Sequence, residues 1–375
     1  MSAEKMTFDI NASILKHISM LKPMFPQRAI ISIGDYSSQI LLKSTDISEN
    51  QELLRFFIQK TKQGKPKSKK SNKENNEIIG IDEKADTHYW FNVQKYIAEH
   101  DAIVEKLKGK PIDKLYGAIM VASLWEGVGS ALLPDLTARF QEGDVNSVAF
   151  AIVPSHLQPP DAQFNALWSM AKCRTNGLTQ ILMEREALEN YVGVDRKGSI
   201  LKGNSVLNYI VELVLEKEEF TQEFFELSKS FNLKMFTALV ATGASLKVYG
   251  SFKNILDTTL LRPFMPFDIS TATTLYVLIR MPLHMKDKLS QSQIELSIEE
   301  WFSEKTNLKS VHVSEPIYVE DPSDRIDLIL FVGGFDLTAI VSSSEKKAKE
   351  IKVYAEKNGY IKEKEWQELI KSLAD

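Results

Sequence analysis

The strongest constraint on this chain is a unit that recurs between Ala118 and Leu188. A short buried-type strand, AIMVASL (Ala118 to Leu124), runs through a glycine turn into a helix that reaches Phe140. SVAFAIV (Ser147 to Val153) is a second strand, and its helix opens at Pro159-Pro160 and reaches Cys173. Thr179 to Met183 is a third, followed by a short helix through Glu186, Ala187 and Leu188. Short apolar strands alternating with helices specify an α/β fold, a Rossmann-like parallel sheet with helices on both faces. Ligands in such folds sit at the carboxyl ends of the strands, so the strand-to-helix turns are where chemistry is expected.

The flanks extend this pattern. Ala29 to Ile33 is a β-branched strand ended by Gly34 and Asp35, and a helical stretch follows with Leu53, Leu54, Phe57 and Ile58 on one face. The run KQGKPKSKKSNKENNE (62–77) has six lysines and no apolar residue, so it reads as a mobile, disordered loop inside the first domain. From Tyr89 to Leu107 the pattern is helical, with Phe91, Tyr96, Ile97 and Val104 apolar. Ser205 to Leu227 reads as one long helix or two abutting ones, apolar at Leu207, Ile210, Val211, Val214 and Leu215. Then the grammar changes. Strands at Leu246 to Tyr249, Thr274 to Met281, Ser310 to Glu320 and Arg325 to Val332, with two clear helices, indicate a smaller mixed α+β sheet. The last stretch, Glu345 to Asp375, is charged helix with apolar spots at Ile351, Val353, Trp366 and Leu369, suited to packing on the body or to binding a partner. The expected organisation is a nucleotide-binding-like domain (1–200), a central helix region (201–230), a C-terminal mixed-sheet domain (231–342) and a helical tail (343–375).

Composition narrows the function classes. At 375 residues the chain is too long for one ordinary core, which fits two domains. A net charge of −4 gives no reason to expect a specific nucleic-acid partner, and the lysine run reads as a solvated loop. The lone Cys173 excludes an internal disulfide framework, fits a reducing compartment and reads as core packing. No segment approaches the roughly 20 apolar residues of a membrane span, and the N-terminus lacks the apolar stretch of a signal peptide. A cytoplasmic location is expected. His17, His88, His100, His156, His284 and His312 show no metal-ligand spacing, so no metal site is expected.

The turn within AIMVASLWEGVGSALLP (Ala118 to Pro134) is the candidate site. Gly127, Val128, Gly129 and Ser130 join a strand to a helix; glycines let the backbone approach a ligand, and the free N–H groups of a helix start favour an anion. A two-glycine turn is equally a plain connector, and both readings stand from this window. Glu126 opposes a triphosphate. A carboxylate about 4 Å from a phosphate charge costs on the order of 4 kcal/mol at an effective dielectric of about 20, roughly a thousandfold in affinity. Only an outward-pointing side chain, or one holding Mg²⁺, escapes that cost.

With these residues in place, the order of parts resembles the tubulin/FtsZ superfamily. Ala118 to Pro134 aligns without a gap on the family pattern of strand, GGGTGTG and Pro: Gly127, Gly129 and Pro134 match, Ser130 stands for Thr, and Trp125, Glu126 and Ala131 depart. FAIVPS and FNALWS (Phe150 to Ser155, Phe164 to Ser169) resemble VVPS and YNATLS. Glu186-Ala187-Leu188 matches the EAL that follows a guanine-contacting Asn, whose place Arg185 takes. Asn204 falls where an Asp or Asn reads guanine and keeps a donor and acceptor for a purine edge. RIDLILFVGGFD (Arg325 to Asp336) is similar to the strand closing the second domain. After the first strand the family's glycine-rich loop is reduced to Gly34 and DYSSQ (Asp35 to Gln39).

The resemblance implies GTP as ligand at Gly127, Val128, Gly129, Ser130 and Asn204, with Mg²⁺ only if GTP binds. It also implies that hydrolysis needs an acid from the neighbouring subunit, in a loop like NLDFAD. The match here, Asn232-Leu233-Lys234-Met235-Phe236-Thr237, has lost both acids to Lys234 and Thr237. An ammonium does not polarise the attacking water but clamps a phosphate. The expectation is therefore a cytoskeletal or scaffold protein, a pseudo-GTPase with a degraded site and no catalytic residue, associating head to tail with itself or a relative. A GTP-hydrolysing filament protein of cell division is the alternative, with Asp35 or Glu226 as the replacement acid. An unrelated Rossmann-type dinucleotide enzyme is a second, although Ile33 to Ile40 lacks GxGxxG.

Overall fold

The strand–helix repeat folds as a parallel sheet, and residues upstream widen it. The computed structural model describes residues 27–43, 53–61, 76–99, 115–306 and 308–374. They form two compact units, one running to Leu178 and including Ile340 onward, the other spanning Thr179–Ala339.

In the first unit, β1 (Gln27–Ile33) leads to α1 (Asp35–Leu41), β2 (Leu53–Thr61), β3 (Asn76–Asp82) and α2 (Trp90–Glu99). Then come β4 (Leu115–Ser123), α3 (Gly127–Glu142), β5 (Ser147–Val153) and α4 (Pro160–Thr175). The order is β3-β2-β1-β4-β5, all parallel. Ile33 aligns with Ile58 on one side and Ala122 on the other, so three strands end together. β4 and β5 are apolar almost throughout because both their faces are covered.

One expectation is corrected here. Leu53, Leu54, Phe57 and Ile58 lie in strand β2, not in a helix. All residues from Leu53 to Ile58 are buried, and a continuous apolar run fits a buried strand as well as a helix face. Of the lysine-rich run, 62–75 lies outside the described residues, and the last two positions open β3. Beyond Glu99, the helix expected to reach Leu107 also falls outside them.

The second unit contains β6 (Thr179–Glu184), α5 (Arg185–Glu189), the hairpin β7 (Val192–Val194) and β8 (Ile200–Lys202), α6 (Ser205–Glu216) and α7 (Phe220–Ser230). It continues through β9 (Met235–Ser245), α8 (Leu246–Tyr249), α9 (Phe252–Thr259), β10 (Thr274–Pro282) and α10 (Gln291–Ser303). It closes with β11 (Ser310–Val313), β12 (Ile317–Val319) and β13 (Arg325–Gly333). Its sheet is mixed, in the order β6-β9-β13-β10-β11, with β12 also on β10. The contacts of β13 are antiparallel; those of β6 with β9 and of β10 with β11 and β12 are parallel. The central helical region is two helices, broken where Lys217 turns extended. Phe220, Phe224, Phe236, Tyr276 and Phe331 form an aromatic core with ring centroids 4.7 Å to 6.2 Å apart. Beside it Arg280 pairs with Asp327 at 2.9 Å, and the Asp327 carboxylate also accepts the Tyr209 hydroxyl and the Gly243 N–H.

Two strand expectations change. Leu246–Tyr249 is the short helix α8, capped by the Ser245 hydroxyl and stopped by Gly250 at φ 77. Ser310 to Glu320 is two strands, interrupted at 314–316.

The chain then returns to the first unit as α11 (Thr338–Lys357) and α12 (Glu363–Ala374). Trp366 stacks on Phe164 of α4 at 5.2 Å, Tyr360 stacks on Phe91 at 4.0 Å, and Lys172 pairs with Glu365 at 2.8 Å. Of the two roles open to the tail, packing on the body is the one observed for its Trp366 and Leu369 face, while Val353 stays exposed.

Candidate functional site

The carboxyl ends of β1 and β4 meet at a cluster of short contacts. Gly34 follows β1 with φ 102, and a Cβ there would lie 2.3 Å from Glu126 Oε2 and 2.4 Å from Ser123 Oγ. Only glycine fits. The space is taken because Glu126, arriving from the β4–α3 turn, points back towards α1. Its Oε1 accepts the Tyr36 N–H at 3.1 Å, and its Oε2 accepts the Ser123 hydroxyl at 2.7 Å. Tyr36 stands in the first turn of α1, where unpaired N–H groups and the helix dipole favour negative charge. The Glu126 side chain thus sits against the N-terminus of α1.

Burial pushes the Glu126 carboxyl above its ordinary value and wins over the Ser123 and Tyr36 hydrogen bonds, with the Asp35 charge adding to the rise. Asp35 is itself engaged, its Oδ1 accepting the Lys60 N–H at 2.7 Å.

Gly127, Val128, Gly129 and Ser130 form the first turn of α3, all buried. Both glycines have packing reasons. A Cβ on Gly127 would lie 2.3 Å from the Thr87 carbonyl oxygen, and one on Gly129 would lie 2.1 Å from that of Ser123. The Ser130 hydroxyl donates to the Gly127 carbonyl at 3.1 Å. Glu126 holds the N-cap position but makes no side-chain cap to its own helix.

The turn is fixed by a residue to which the sequence reading gave no role. Asn165, 1% exposed, donates to the carbonyls of Trp125 and His88 and accepts the Trp90 N–H at 3.1 Å. The match of FNALWS to the family pattern was the signal that could have found it. Tyr36 and Ser123 lacked such a signal, because their roles depend on where Glu126 turns. The rings of Tyr36 and Trp125 meet edge to face at 4.7 Å.

The remaining candidates belong to the second unit. Asn204 occupies the N-cap position of α6, half-buried, without a side-chain cap. Arg185 opens α5 and pairs with Glu189 at 2.8 Å. The stretch Asn232 to Thr237 is only partly a loop, because β9 begins at Met235. Thr237 is buried in that strand and donates to the Leu182 carbonyl at 3.0 Å. Asn232 is left-handed at φ 53, and Lys234 lies over the Phe225 ring at 5.9 Å. Burial lowers the Lys234 ammonium below its ordinary value, and Lys229 adds to the effect.

No family model matches the sequence, and no curated protein does. Solved structures match over nearly the whole chain. CetZ from Methanosaeta thermophila superposes with a TM-score of 0.64 at 13% identity, covering 90% of this chain and 94% of that one. CetZ2 from Haloferax volcanii, in a GTPγS-bound protofilament, gives 0.62 at 19% identity, covering 88% and 99%. TubZ from Bacillus thuringiensis serovar israelensis, in a GTPγS-form protofilament, gives 0.58 at 12%, covering 93% and 97%. The chain has the tubulin/FtsZ fold. Within this tubulin/FtsZ fold, the strand-to-helix turn at 124–130 is the one the sequence aligned on the family's glycine pattern. The unrelated dinucleotide enzyme is set aside. No helix among the described residues is long and apolar enough to cross a membrane.

Proposed function

We propose that this tubulin/FtsZ-fold protein is a cytoplasmic scaffold or cytoskeletal protein with a degraded GTP site, assembling with itself or a relative without turning GTP over. One observation carries the reading: the Glu126 carboxylate sits on the Tyr36 N–H, where a bound phosphate would find its donor. A second anion within about 4 Å would cost on the order of 4 kcal/mol at an effective dielectric of about 20. Lys234 in place of a catalytic acid, and Thr237 buried in β9, point the same way.

A GTP-binding protein is the second reading, favoured by the first turn of α3, which lacks a side-chain cap beside Gly127 and Gly129. Its replacement acids are otherwise engaged: Asp35 accepts the Lys60 N–H, and Glu226 accepts from Gln222.

Titration with GTP and GDP, with and without Mg²⁺ and followed by tryptophan fluorescence, to which Trp125 in the turn contributes, separates the two readings when combined with phosphate release and pelleting. The expected result is binding weaker than millimolar, no phosphate release and pelleting without nucleotide. Glu126→Gly should then strengthen GTP binding, by up to roughly a thousandfold if the full repulsion is relieved. Micromolar GTP binding by the unaltered chain, with steady phosphate release, would overturn the proposal.

A further inference from the structure

Another cluster of titratable groups lies in the second unit, on the face of its sheet where Phe220 and Phe224 of α7 meet Tyr276. Tyr276 of β10 and His312 of β11 are partners in the parallel register, and their rings stack at 5.1 Å. Both reach one carboxylate of α7. The Tyr276 hydroxyl donates to Glu223 Oε2 at 2.7 Å, and His312 Nε2 lies 3.5 Å from the same oxygen. That nitrogen is shielded from solvent and makes no hydrogen bond. Other groups bear on the pair. Lys217, ahead of α7, lies 3.6 Å from Glu223 and 3.4 Å from Glu219. Ser314, buried just past β11, adds a hydroxyl beside Glu223. Arg280, further along β10, is committed to Asp327 and Glu216. Lys309 and Glu315 flank β11 along the chain, and Glu295, Glu299 and Glu300 belong to α10, which also packs on β11. Among the described residues Glu223 is the carboxylate that pairs with His312.

We propose that His312 and Glu223 form a proton-dependent latch, which fastens α7 to β10 and β11 when the imidazole is charged and loosens when it is neutral. Histidine changes its charge between about pH 8 and pH 5. A neutral ring offers Glu223 only a weak dipole across 3.5 Å, whereas an imidazolium supplies a counter-charge and a charged donor. Glu223 is ready to receive it. Burial works to raise its carboxyl, but the His312, Tyr276 and Lys217 contacts prevail and hold it down at about 2. The carboxylate therefore stays ionised throughout the range in which a histidine titrates. An ion pair needs both charges, so the latch is closed near about pH 5.5 and opens as pH rises towards about 8. Its leverage comes from where α7 leads. The helix runs straight into the turn at Phe231 and Asn232, and the Leu233 N–H donates to the Ser228 carbonyl at 2.9 Å across that turn. The proton on His312 thus sets how firmly the helix supporting the turn is seated. This goes beyond the GTP-site reading and does not depend on it.

The test is amide hydrogen exchange of the full chain at about pH 5.5 and about pH 8, with rates corrected for the intrinsic pH dependence of exchange. Relative to α9, in the same unit, the amides of α7 should be about threefold or more better protected at the lower pH, the scale of a partly exposed ion pair. His312→Phe keeps a ring on Tyr276 that never charges, and should abolish the difference between the two pH values. Glu223→Gln keeps an oxygen for the Tyr276 hydroxyl and should abolish it too. In a double-mutant cycle followed by chemical denaturation, the two substitutions should be coupled by about threefold or more at the lower pH and uncoupled at the higher one. If a variant does not fold, exchange in the unaltered chain still decides. Protection of α7 that merely follows that of α9 at both pH values, or a folded His312→Phe chain that keeps the difference, overturns the latch.

Discussion

Glu126 shows what one residue's direction decides. The sequence marked this position as the departure from a phosphate-binding turn, but its orientation was not legible, because one of the groups that receive it, the Tyr36 N–H, comes from a turn ninety residues upstream. Gly34 was readable as a turn residue; that its missing Cβ makes room for a carboxylate was not. The elevated Glu126 value has a consequence for stability. Folding penalises its ionised form, so the contribution is most favourable below the ordinary carboxylate range and is lost as pH rises through the elevated value. Gln keeps an oxygen for the Tyr36 N–H without the charge. Glu126→Gln should therefore raise the melting temperature at neutral pH by a few degrees, on the order of 1 kcal/mol, and the gain should vanish near pH 4. A lower melting temperature at neutral pH would mean that the charge itself holds the turn.

Among elements, legibility followed periodicity. β4, β5 and β6 with their helices were readable because strand and helix patterns alternate cleanly there. β2 was not, because six consecutive buried residues carry no period to distinguish strand from helix. α8 is a single turn, too short for a helical period to show in the sequence, and its Ser245 cap and Gly250 stop decide the matter locally. For α12 the apolar spots were visible, while their partner on α4 was not. Trp366 is buried against Phe164, and its indole N–H donates to Glu345 of α11 at 3.2 Å. Trp366→Ala should cost about 3 kcal/mol or more in chemical denaturation, the usual scale for emptying a buried indole site; a loss under about 1 kcal/mol would show that α12 adds little to the fold.

At the scale of the whole molecule, the order of parts carried the fold even where identities to solved structures are only 12% to 19%. What the order could not convey is that the first unit is assembled from both ends of the described chain. A variant ending at Leu337 should lose amide protection in α4 by hydrogen exchange while β10 and β13 keep theirs, because only the first unit loses a packing layer. Equal loss in both sheets would show that the two units unfold as one.

That arrangement also sets a sequence of events during synthesis. A ribosome delivers β1 early, but the face of α4 that packs on α12 is not covered until Glu363–Ala374 has emerged, so the unit begun first is the last to be finished. In the interval Phe164 keeps Tyr89, Trp90 and Phe91 beside it but lacks the Trp366 ring, and the apolar surface left open on a nascent chain is a hazard that translation speed and holding chaperones would have to manage.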